Sequence, residues 1–151
     1  MAYTSVIPVH RLDCAIDYVL DDEKCSRKKE KSLQGEIGKA LNQHQTEQVV
    51  FESALGCTCE TAFEDMFRIK QMWHKEGGVQ GFHLVQSFAA GEVTPELAHQ
   101  IGLEFAQQLL GGDFQAVVST HLNTQCTHNH IVWNSVSMEN GKKYRSNEKT
   151  M

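Results

Sequence analysis

The spacing of apolar residues changes several times along the chain, and each change marks an element. Residues 3–9 (YTSVIPV) read as an edge strand, where Pro8 is tolerable near the end. In RLDCAIDYVL, Leu12, Ala15, Ile16 and Val19 fall at helical spacing. At about 100° per residue these four cover about one-third of a helix, and Tyr18 lies about 100° from the stripe's centre. A helix docked by that stripe leaves the Tyr18 hydroxyl at its edge, within reach of a ligand. Residues 21–47 are polar and Gln-rich and read as a loop with a short helix. QVVFESAL has strand composition. Thr58 is placed to cap a helix with the stripe Phe63, Met66, Phe67, Lys70 and Trp73, ending at Gly77-Gly78.

FHLVQSF alternates as a strand, and Thr94-Pro95-Glu96 starts a helix running through Ala98, Ile101, Phe105 and Leu109 to Gly111-Gly112. Two further strands, FQAVVSTH and HNHIVWNSVSM, are joined by the short turn LNTQCT as an antiparallel hairpin. This order predicts an α/β (α+β) sandwich: a largely antiparallel sheet of about five strands, two main helices packed on one face, and the other face open for a ligand.

A chain of 151 residues holds one domain with a core, and its 40% hydrophobic and 22% charged residues are those of a globular protein. It has neither a membrane-length apolar run nor a secretory signal. Five cysteines without framework spacing predict reduced thiols and a cytoplasmic location. Cys57 and Cys59 form a CxC with no second pair, which fits packing at a helix start better than metal binding. The net charge of −5 runs against a nucleic-acid partner, but KCSRKKEK (24–31) carries Lys24, Arg27, Lys28 and Lys29, and the tail adds Lys142, Lys143, Arg145 and Lys149. The ending at KKYRSNEKTM predicts the N-terminal part of a longer protein.

The strongest chemical signal is His121-Leu-Asn-Thr-Gln-Cys-Thr-His128-Asn-His130. Strand alternation puts His128 and His130 on one face with Val132 and Asn134, and puts His121 on a face with Val117 and Ser119. The hairpin brings the strand ends together, so three imidazoles can converge as an open, catalytic type of metal site. The other histidines read as surface or core residues, with His83 alone a weaker candidate for the site.

At these residues the chain resembles the MobA-type relaxases, the mobilisation nucleases of the HUH endonuclease superfamily. AIDYVLDDEK resembles the family's first motif and puts Tyr18 at the nucleophile. HLVQSFAAGEVTPELAHQIG resembles the second, whose DNA-contacting serine is Ser87 here. HLNTQCTHNHIVWNSV resembles the third, HxDxxxHxHxxxN, with metal ligands His121, His128 and His130 and a DNA-contacting Asn134. Two positions depart from the pattern. Asn123 stands where the family carries an acid that can orient an imidazole or accept the tyrosine proton, and Asn129 replaces the superfamily's hydrophobic residue.

The resemblance implies a metal-dependent, site- and strand-specific endonuclease and strand transferase. It would nick single-stranded DNA at a transfer origin through a 5′-phosphotyrosine on Tyr18, alongside accessory relaxosome proteins in conjugation and plasmid mobilisation. Mg2+ or Mn2+ is expected for turnover, whereas the nitrogen ligands suit Zn2+ or Ni2+. The basic residues Lys24, Arg27, Lys28 and Lys29 are expected on the DNA backbone. Two alternatives stand beside this reading: an origin-binding module with little or no nicking, and a rolling-circle replication initiator. Such initiators usually carry the tyrosine after the histidines.

Overall fold

The computed structural model describes residues 3–20, 48–89, 91–122 and 126–144. Five strands form one sheet: β1 (Tyr3–Val9), β2 (Gln48–Leu55), β3 (Gly81–Phe88), β4 (Ala116–Leu122) and β5 (Thr127–Asn134). Their spatial order is β1-β3-β5-β4-β2, and every neighbouring pair is antiparallel. The hairpin strands thus lie at the centre, and Pro8 sits on an edge strand, where a missing N–H costs no ladder bond to a second neighbour.

The helices are α1 (Leu12–Leu20), α2 (Ala62–Met72) and α3 (Pro95–Leu110). The fold class is as expected, but the helices divide between the two faces of the sheet. Leu12, Ile16 and Val19 of α1 and Ala62 and Met66 of α2 pack with Val117 and Val132 on one face. Ala106 and Leu110 of α3 pack with Leu84, Ala116, Val118, Ile131 and Trp133 on the other. At nine residues α1 is too short to persist alone, so its three buried aliphatic side chains, at roughly 1.5–3 kcal/mol each, hold it on the sheet.

The termini of α3 follow the sequence signals. Thr94 Oγ1 accepts a hydrogen bond from Leu97 N, Pro95 follows, and Gly111 closes the helix in the left-handed region at φ 62°. The start of α2 differs from expectation: its N-cap is Thr61, and Thr58 stands one step outside, bonded to Thr61, whose hydroxyl donates to Asp65. The helix ends at Met72 rather than at the glycines, and its buried stripe is Ala62, Met66 and Lys70. A lysine counts as polar in any pattern, yet the Lys70 ammonium is buried and donates to Gln80 O, Ser135 Oγ and Asn134 Oδ1. Burial, with Lys143 nearby, lowers its pKa to about 8.

On the α3 face, Asn129 is fully buried. Its Nδ2 donates to Ala98 O (2.6 Å) and Gln86 Oε1 (3.1 Å), and its Oδ1 accepts from Thr120 Oγ1 (2.7 Å). The identity of this residue therefore matters, because it ties the histidine strand to α3. Gly102 makes room for it: a Cβ there would stand 2.8 Å from Asn129 Nδ2 and 3.3 Å from Val118 Cγ1. Gly102→Ala should therefore destabilise the fold by about 1–3 kcal/mol despite alanine's better helix propensity. Thermal melting should fall by roughly 2–10 °C. A raised melting temperature, as at an exposed helical glycine, would contradict this packing.

Candidate active site

The register sets the face. His121 pairs directly with His128 across the β4–β5 hairpin, and His130 pairs with Ser119 on one side and Val85 on the other. The three imidazoles share the α1 face, with ring centroids 4.3 Å apart for His121–His130 and 6.4 Å for His128–His130. Tyr18 reaches the same place from α1. Its ring lies edge-on to His130 at 6.0 Å and to His83 at 6.4 Å, while Ile16 and Val19 beside it are buried. The helix stripe and the strand phase therefore converge on one spot from opposite sides.

Each histidine is oriented by a defined partner. His121 Nε2 lies 2.8 Å from Val19 O and 3.1 Å from Ser119 Oγ. A carbonyl only accepts, so His121 carries its proton on Nε2. His128 Nδ1 is 3.0 Å from Ser87 Oγ, and its Nε2 is 2.9 Å from Cys126 Sγ. His130 Nδ1 is 2.9 Å from His83 Nε2. Burial, reinforced by His121, pushes the His83 pKa down to about 4, so His83 is neutral near pH 7.

Three imidazoles on neighbouring strands are a donor set that suits a divalent ion. Among the described residues, however, no three His, Cys, Asp or Glu side chains are arranged to hold one. The hydrogen bonds account for this: both nitrogens of His128 face Ser87 and Cys126, and His121 turns its Nε2 to the Val19 carbonyl. Loading an ion requires His128 to exchange one of these contacts for it.

The other expected site residues fall out differently. Ser87 lies on the histidine face against His128, half-buried. Asn134 shares that face but is fully buried under α2, bonded to Lys70, Met66 O and Gln115 Oε1. This placement corrects the expectation of a DNA contact: the Asn134 amide joins α2 to the sheet. Lys24, Arg27, Lys28, Lys29 and Asn123 lie outside the described residues. Tyr144 packs on the opposite face against Phe82, Phe114 and Trp133. Burial pushes the Cys57 thiol up to about 12, in keeping with packing at the start of α2. Sequence reasoning gives His83 and Cys126 too little weight. His83 and Ser87 do share a strand phase in FHLVQSF, and that phase is the signal that could have found His83.

No helix among the described residues is long and apolar enough to cross a membrane. Residues 18–151 match the family model described as relaxase, MobA/VirD2-like, nuclease domain. A protein named rlx from Staphylococcus aureus is 43% identical over 98 residues, which cover 65% of this chain and 31% of the relative. A second rlx protein from the same species is 40% identical over 100 residues, covering 66% of this chain and 30% of the relative. The group II intron-interrupted relaxase LtrB of Lactococcus lactis subsp. cremoris is 38% identical over 71 residues, covering 46% of this chain and 13% of the relative. The matched stretch thus spans less than a third of each relative's length. On a family match that begins at Tyr18 and takes in all four histidines of the site, the chain belongs to the MobA/VirD2-like relaxase nuclease family.

Proposed function

We propose that this chain is the nicking domain of a relaxase that cleaves single-stranded DNA at a transfer origin by transesterification. One observation carries the reading: Tyr18 stands edge-on to His130 and His83 on the face that also holds His121 and His128. The Tyr18 oxygen attacks the scissile phosphorus, an O–P bond to tyrosine forms, and the P–O3′ bond breaks. The phenolic proton leaves to solvent or a neighbouring base, and the departing 3′-oxygen is protonated. One phosphoester replaces another, so the step is reversible and strands can be rejoined.

His121, His128 and His130 would hold a divalent ion, Mg2+ or Mn2+ for turnover, although nitrogen ligands also accept Zn2+ or Ni2+. When bound, it supplies positive charge to the scissile phosphate. The chain's own residues fix the stage: Ser87 orients His128, the Val19 carbonyl orients His121, and the buried stripe of α1 sets the height of Tyr18. Asn123 stands in for the expected acid, so it can orient an imidazole but cannot accept the tyrosine proton. Lys24, Arg27, Lys28 and Lys29 would guide the DNA backbone, accessory relaxosome proteins would complete the assembly, and the cytoplasm would be its location.

A binding-only module is the second reading. It is favoured by the net charge of −5 and by histidine contacts that pre-empt a metal tripod among the described residues. Incubation with cognate single-stranded DNA and Mn2+ separates the two. The nuclease gives a protein–DNA species that survives denaturation, and a binding module gives a retarded complex that does not.

A further inference from the structure

We propose that His83 is a positioning residue for the nicking reaction, holding the His130 ring in one tautomer and one orientation. This rests on the reading above, in which His130 serves the scissile phosphate. Three observations converge on it. His83 lies on β3, whose register with β5 places it opposite Val132 and diagonal to His130, a separation that a long or aromatic side chain spans. Its Nε2 is 2.9 Å from His130 Nδ1, with the rings tilted at 38° and their centroids 5.1 Å apart. Its other neighbour is the edge of the Tyr18 ring, so one imidazole spaces the nucleophile from the histidine it must work beside.

The hydrogen bond has a direction that matters. For His130 to offer Nε2 as a lone pair, its proton must sit on Nδ1, and His83 Nε2 must then accept it. His83 in turn carries its own proton on Nδ1. A carboxylate or a backbone carbonyl ordinarily does this for a working histidine. Here a neutral ring does it, with no added negative charge beside an anionic phosphate. Because its Nε2 is turned to His130, His83 acts through that residue and not as a further ligand.

The test uses the whole chain and two readouts. Long-range 15N–1H correlation of the 15N-labelled protein near pH 7 should show His130 protonated at Nδ1 and unprotonated at Nε2. His83→Phe keeps a ring between Tyr18 and His130 but deletes the acceptor. It should weaken that tautomer preference and lower kcat for nicking by about 10–100-fold, with KM for single-stranded DNA unchanged. His83→Gln, whose amide oxygen can accept from His130, should recover much of the loss. An Nε2 proton on His130 in the unsubstituted chain overturns the proposal. So does full nicking by His83→Phe, or a His83→Gln variant as impaired as His83→Phe at equal melting temperature. A chain that forms no adduct on cognate DNA refutes the nuclease reading instead, and the tautomer measurement then decides the role of His83 by itself.

Discussion

Tyr18→Phe should abolish covalent capture of single-stranded DNA and lower nicking by about 10³-fold or more, because it removes the attacking oxygen and nothing else of size. The ring packs against the α1–α2 core cluster and meets His83 and His130 edge-on, contacts that phenylalanine keeps. Stability should therefore change by no more than about 1.5 kcal/mol, and DNA affinity should hold. Tyr144→Phe is the matched control. Tyr144 lies across the sheet among Phe82, Phe114 and Trp133, too far round the fold to take part, and its substitution should leave the adduct intact. Retained adduct formation by Tyr18→Phe, together with loss in the Tyr144 variant, would show that the nucleophile is misassigned.

His130→Ala should be nearly as damaging, with a nicking loss of about 10²–10³-fold or more. His130 is the hub of the site: its ring touches Tyr18, His83, His121 and His128, and Nδ1 bonds His83. Its removal takes away one proposed ligand and leaves Tyr18 and His83 facing a void. His128→Ala removes a second proposed ligand and releases Ser87 and Cys126. Both variants should bind far less divalent metal than the parent when dialysed against Mn2+ and measured by elemental analysis. Full metal content in both would place the ion elsewhere.

The pairing of His121 with His128, and His130 on the same face, was legible in the sequence because a hairpin with a short turn fixes the register and a strand has a period of two. The limits of α3 were legible for a similar local reason: Thr94, Pro95 and Gly111 act through their own backbone. The face taken by each helix was not. The buried stripe of α2 runs through Lys70, whose burial depends on acceptors at Gln80, Asn134 and Ser135. α3 buries the small residues Ala98, Gly102 and Ala106 and leaves Ile101 and Phe105 only half-buried. Asn134 failed as a DNA contact for the same reason: strand phase gives a face, but not which part of that face a helix covers. His83 acquires its meaning from the β3–β5 pairing, which joins segments 47 residues apart and leaves no local trace.

The most direct test of the nuclease assignment is mass spectrometry of the covalent species. The chain is incubated with cognate single-stranded DNA and Mn2+, denatured, digested with nuclease and protease, and its modified peptide sequenced. A nucleotide joined through its 5′-phosphate to Tyr18, within the α1 peptide, is the predicted result. An adduct on Tyr3 or Tyr144, or no adduct on DNA that the chain demonstrably binds, would contradict it.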